Sequence, residues 1–164
     1  MAIAQRLILI IFCLGFSYGQ RIPVALFEPV VINSEQQSRI DALDSLADKS
    51  VEQQHELALL YASTRAFEQS FDILSSLAEE DPQNYDYQFM LGGIAGILAS
   101  EVSQVKSLPY VRTMKTAFEQ AARIAPDSLT IQLVLLELYT ELPWVLGGSN
   151  KKAKKALGAV QSLS

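Results

Sequence analysis

One cysteine and one histidine are all that the 164 residues offer of the two side chains most used in metal and nucleophilic chemistry. The cysteine, Cys13, lies inside the apolar run 7–16, behind Phe12 rather than the small residue that a lipid-attachment site needs. If that run leaves with an export leader, the mature chain has no thiol, so neither disulfides nor thiol redox chemistry contribute to it. With His55 as the sole imidazole, zinc sites and nucleophilic triads have few candidates, and no metal or cofactor is expected. A basic excess is also missing. There are 13 basic and 18 acidic residues, net −5, which argues against a nucleic-acid partner held by bulk charge. The apolar run 7–16 is short of the roughly 20 residues that span a bilayer, and no other such run follows.

What is present begins with that run. Arg6, then the apolar residues 7–16, then Ser17-Tyr18-Gly19 read as an export signal over 1–19, with a cut ahead of Gln20, an uncleaved anchor being the less favoured reading. This predicts a periplasmic or secreted protein. Residues 20–33 read as an extended arm, because Pro23 and Pro29 each exclude a helix interior. The arm either packs along the first helices or serves a partner as a strand or tether. Ser34 to Asp48 reads as a helix opened by a Ser34-x-x-Gln37 capping box, with Ile40, Leu43 and Ala47 on one face. Ser50-x-x-Gln53 starts the next helix in the same way.

The rest of the chain repeats. Gln54-x-x-Leu57 recurs as Gln88-x-x-Leu91 and as Gln132-x-x-Leu135, at steps of 34 and then 44 residues, and Pro82 recurs as Pro126. The first unit holds Leu57, Ala58, Tyr61, Ser70, Leu74 and Pro82 at the spacings of two amphipathic helices and a turn. The second holds Leu91, Gly92, Phe118 and Pro126, with Ala95 and Met114 in place of tyrosine and a small residue. The third holds Leu135, Tyr139, Ala153 and Leu157, with Leu136 where a small residue is expected. A helical hairpin of this size cannot bury its own apolar face, so it needs stacked neighbours. Ten extra residues between Gly92 and Phe118 should lengthen both helices of the second unit by about a turn each and make it protrude. Ser107 is then the expected cap ahead of Pro109. Gly92, Gly93 and Gly96 follow no strand, so close helix packing explains them better than a phosphate loop.

In these residues the sequence resembles the tetratricopeptide repeat family, over residues 51–164. The resemblance implies an all-α fold, a right-handed α-solenoid of about three helical hairpins preceded by an N-terminal helix, forming one domain over 34–164. An ordinary helical bundle with accidental periodicity is the competing reading. The Pro-containing segment 142–149, ending in Gly147-Gly148-Ser149, resembles a loop of exported bacterial repeat proteins and implies the bacterial envelope. Trp144 within it either plugs the third hairpin, the favoured reading, or lies exposed as an anchor.

The resemblance further implies a concave groove lined by the first helix of each hairpin, holding a peptide or helix of another protein. By register the groove residues are Glu52, His55, Leu59, Ala62, Asp86, Phe89, Thr130, Leu133 and Glu137. His55 and Leu59 depart from the lysine and asparagine with which family members clamp a terminal carboxylate. His55 itself is expected to be a satisfied surface histidine. The expected function is thus a non-catalytic adaptor or assembly module.

The alternative rests on charge. Residues 20–101 carry 4 basic and 14 acidic side chains, whereas 102–164 carry 8 and 4. Lys151, Lys152, Lys154 and Lys155 share one side of the last helix, opposite Ala153, Ala156, Leu157 and Val160. They form either a solvated face or a site for peripheral membrane contact or an anionic polymer. An envelope hydrolase is the least favoured reading, for want of a catalytic constellation. The apolar edge of the last helix should be covered by a second subunit or by further repeats of a longer array, the latter preferred.

Overall fold

The computed structural model describes residues 34–164, and the expected leader and arm lie outside them. Seven α-helices follow one another: α1 Ser34–Asp44, α2 Val51–Ser63, α3 Phe67–Glu80, α4 Tyr85–Glu101, α5 Gln104–Ile124, α6 Leu129–Glu141 and α7 Asn150–Leu163. A single 3-10 turn, Trp144–Leu146, separates α6 from α7. The fold is all-helical, and each helix packs on its sequence neighbour.

Local chemistry sets the boundaries. At Ser50 the capping box is complete: the Gln53 backbone N–H donates to Ser50 Oγ at 3.3 Å, and the Ser50 N–H donates to Gln53 Oε1 at 2.9 Å. The expected box at Ser34 does not form. Ser34 is already helical, and the Gln37 amide donates instead to Asp41 Oδ1 at 2.8 Å. That helix also stops at Asp44, short of the expected Asp48. Ser45 Oγ donates back to the Ala42 carbonyl, and Lys49 Nζ donates to the carbonyls of Asp44 and Leu46, so side chains close the end. Ala47 is left exposed, while Ile40 and Leu43 are buried against Leu57.

The recurring glutamines have a common task. Gln54, Gln88 and Gln132 each turn the side-chain amide back to a carbonyl of the preceding segment: Lys49 at 3.3 Å, Ala78 at 3.2 Å and Pro126 at 2.9 Å. Each bond ties the helix to what precedes it, a loop residue at Lys49 and Pro126 and the last turn of α3 at Ala78, and gives that carbonyl a donor. The pattern tyrosines also share a role. Tyr61 donates to Asp44 of α1, and Tyr139 donates to Glu119 of α5 at 2.7 Å. Each binds a helix to the one before its own pair.

Close approach within the pairs depends on small residues. Ser70, fully buried, donates to the Ala58 carbonyl at 2.9 Å and draws α3 onto α2. In the second pair a Cβ on Gly92 would lie 2.7 Å from the Phe118 ring, and one on Gly96 would lie 3.1 Å from Met114 Sδ. Gly93 differs from the expectation, since a Cβ there meets nothing within 4 Å. The ten extra residues do lengthen both helices: α4 and α5 have 17 and 21 residues, against 13 and 14 in α2 and α3. The gain is about one turn in α4 and two in α5. Because α5 begins at Gln104 behind Ser103, Ser107 is not its cap, and Pro109 falls in the second turn. The carbonyl deprived of a donor belongs to Val105, which is 80% exposed and open to solvent.

Individual side chains also join alternate helices. His55 of α2 packs against the Tyr87 ring of α4 at 5.1 Å, and Tyr85 Oη lies 3.4 Å from Ser128 Oγ at the start of α6. Phe71 of α3 meets Tyr110 of α5 at 5.2 Å, and Lys152 of α7 reaches Glu119 of α5 at 2.9 Å. One buried cluster joins Ala58, Ala62, Leu74 and Leu77 to Met90, Leu91 and Ile94, while the next joins Ala95 and Phe118 to Ile131, Leu135, Leu138 and Ala153. Both clusters draw on α4.

Two neighbouring glycines should therefore respond oppositely to alanine. Gly92→Ala is expected to destabilise by about 1–3 kcal/mol, because the buried Phe118 ring must shift. Gly93→Ala should stabilise by roughly 0.5–1 kcal/mol, the helix propensity gain alone. Urea unfolding of the two variants checks both signs.

Candidate functional site

Helices α2, α4 and α6 contain Glu52, Glu56, Asp86, Glu101, Glu137 and Glu141 and no lysine or arginine. All eight basic residues beyond Val102 lie on α5 and α7. Helix α3 is acidic as well, with Glu68, Asp72, Glu79 and Glu80 and no lysine or arginine, so the cations of the second helices are confined to α5 and α7. Glu56 is neutralised by Arg39 through bonds of 2.6 and 2.7 Å, and Glu101 lies 3.8 Å from Arg65. Among the described residues, Glu52, Asp86, Glu137 and Glu141 have no ion-pair partner.

The expected groove residues fall into three groups. Glu52, Leu59 and Asp86 are exposed, and Phe89, Thr130, Leu133 and Glu137 are half-buried. Ala62 is 0% exposed and packs in the core with Ala58, one turn before it, so it cannot meet a partner. His55 is not a satisfied surface group either: its Nε2 is buried without a hydrogen-bond partner, and its ring rests on Tyr87. Phe89 is held from two sides, stacked on Tyr85 at 5.6 Å and edge-on to Phe118 at 5.8 Å.

Glu52 and Glu137, both without an ion-pair partner among the described residues, have shifted ionisation. The Ser50 hydroxyl donates to Glu52 Oε2 at 2.7 Å and holds it below the ordinary range. Burial, aided by the like charge of Glu141 one turn on, pushes Glu137 up to about 7. Its contribution to stability is present below about pH 4.5 and is lost as pH rises through 7. A cation brought beside Glu137 would relieve that loss. Glu137 can also exchange a proton near neutrality, the property a general base requires, although a like-charged neighbour and a helix face do not supply a nucleophile.

The lysines do not form one uniform face. Lys152 is engaged: its ammonium bonds Glu119 at 2.9 Å and lies 5.0 Å from the centre of the Tyr139 ring. Lys151, Lys154 and Lys155 are exposed. The loop before them is a compact turn. Gly147 has φ of 100° and Lys115 packed beneath it, and a Cβ on Gly148 would strike the Leu142 carbonyl at 1.7 Å. Ser149 then caps α7, its Oγ accepting from the Lys152 N–H. This geometry overturns the expected plug: Trp144 is 84% exposed at the tip, with Val145 at 64%, and Leu146 packs inward instead.

Glu119 ties this end together. It accepts from Lys115 of α5 at 3.2 Å, from Tyr139 of α6 and from Lys152 of α7. Burial opposes its ionisation, but the three donors outweigh burial and hold it at about 2. This joint was not visible beforehand, since a glutamate on a helix gives no hint of partners 20 and 33 residues away.

No family model matches the sequence, and no curated protein matches it. The tetratricopeptide resemblance therefore rests on the quoted residues. No described helix is long and apolar enough to cross a membrane, and no described group of histidine, cysteine and carboxylates could hold a metal ion.

Since Glu119 ionises more readily folded than unfolded, it contributes stability above pH 4.5 that is lost as pH falls toward 2. Glu119→Gln should cost roughly 1–2 kcal/mol at pH 7, allowing for the half-exposed Lys152. The difference from the parent should shrink toward zero by about pH 2, and urea unfolding across that range measures it.

Proposed function

We propose that the chain is a tetratricopeptide-like, right-handed helical array that serves as an adaptor or assembly module in the bacterial envelope, gripping a segment of another protein on its first-helix layer. The observation that carries this reading is the composition of that layer. Helices α2, α4 and α6 carry Leu59, Phe89 and Leu133 with Glu52, Asp86, Glu137 and Glu141, and no lysine or arginine. Such a surface suits a partner segment that alternates apolar and basic side chains. Export rests on the leader pattern of residues 1–19. Catalysis has no place in the proposal.

A second reading is favoured by the exposed Trp144 and Val145. With Lys151, Lys154 and Lys155 they combine an amphipathic ring with cations, the composition of a peripheral contact with an anionic membrane surface.

Photo-crosslinkers placed in intact cells at Leu59 and Leu133, and as a control at the exposed Gln69 of α3, test the first reading. It expects one protein product from the first-helix positions and none from Gln69. Asp86→Lys with Glu137→Lys should abolish that product. Equal products from both layers, or indifference to charge reversal, would contradict it. Vesicles of anionic lipid test the second. Binding through the lysines should weaken steeply between 0.05 and 0.5 M salt, roughly as the screening length shortens, with the Trp144 fluorescence shifting to the blue.

A further inference from the structure

Helices α5, α6 and α7 leave an open cleft of about 590 Å³ between them. Four small or aliphatic side chains, Ala122, Leu135, Ala156 and Ala159, give it an apolar lining. Three alanines leave the space that larger residues would fill. Glu119, Arg123, Lys152 and Lys155 also line it. Their charges are not equivalent. Glu119 already accepts three hydrogen bonds and Lys152 is one of its donors, so this pair is internally satisfied. Arg123 and Lys155 have no carboxylate within ion-pair distance among the described residues. Two cations without a counterion, beside apolar surface, attract an anion, and the guanidinium fork suits a carboxylate.

The remaining polar groups narrow the choice. The Gln132 amide donates to the Pro126 carbonyl, and the Tyr139 hydroxyl donates to Glu119. Little remains to pair with a peptide backbone. The Glu119 carboxylate in the same lining disfavours a doubly charged phosphate.

We infer that this cleft binds a small aliphatic carboxylate, its head between Arg123 and Lys155 and its chain along Ala122, Leu135, Ala156 and Ala159. The site takes Gln132, Leu135 and Tyr139 from α6 but none of the proposed groove residues. Its occupant would bridge α5 and α7, so it would also brace the second helix pair against the third.

Decanoate, below its micelle-forming concentration, is the probe. Titration calorimetry and methyl NMR on the protein should show saturable binding that shifts the methyl signals of Ala122, Ala156 and Ala159. Decanol, which lacks the charge, and acetate, which lacks the chain, should each bind at least about tenfold more weakly. Arg123→Ala with Lys155→Ala should weaken decanoate by about tenfold or more, a change at exposed positions that leaves the Glu119 joint intact. Lys151→Ala with Lys154→Ala should leave the affinity unchanged. Equal binding of acetate would mean an adventitious ion only, and equal binding of decanol would remove the role of the cations. Either result, indifference to the Arg123 and Lys155 changes, equal loss in the Lys151 and Lys154 variant, or absence of methyl shifts overturns the assignment.

Discussion

Helix α4 must stay dry on nearly every side, because eleven of its seventeen residues are buried and its apolar side chains run around the whole circumference. A helix of that kind is stable only inside a wall of other helices. The wall comes from both directions. Ala58, Ala62, Leu74 and Leu77 cover one side of it, and Phe118, Ile131 and Leu135 cover the other. The first and third pairs are therefore not independent hairpins beside a second. Each completes the burial of the same helix, so the order of pairs follows from what α4 cannot expose.

That constraint draws the core through α4 and separates the polar work. Outside that core, the first helices carry acidic and apolar residues without a lysine or arginine. Helices α5 and α7 hold the cations, and where these approach a carboxylate they form a joint, as Lys115 and Lys152 do at Glu119. An ion pair with burial of this degree contributes more than exposed pairs do, since the Tyr139 hydroxyl completes the carboxylate's hydrogen bonds. The proposed partners follow this division: a basic segment for the acidic first helices, and a small anion where Arg123 and Lys155 lack a counterion among the described residues.

Much of the helical arrangement could be read in the sequence because it depends on short-range rules. The Ser50 capping box, the proline-marked turns, the repeated glutamines and the length added to α4 and α5 all act within a few residues. Where the reading failed, the deciding partner was distant or the alternatives were close in energy. Ala62 fits a groove position by register, yet it is buried in the cluster that α2 shares with α3 and α4. Trp144 looked suited to fill a hairpin, but the tight turn at Gly147 and Gly148 gave that inward place to Leu146. Pro109 sits one turn deeper than expected because Ser103, four residues before Ser107, already starts α5. The candidate site was legible as a row of exposed acids and lysines, but not as a paired Lys152 and an unpaired Arg123, which depend on how α5 meets α7.

Native-state hydrogen exchange tests the central role of α4 most directly. If the array is assembled around it, the amides of residues 90–98 should exchange only with global unfolding and be the slowest in the protein, with α1 and α7 opening at lower free energy. Exchange in α4 as fast as in α1 or α7 would contradict the account, because it would mean that the pairs fold separately and merely touch.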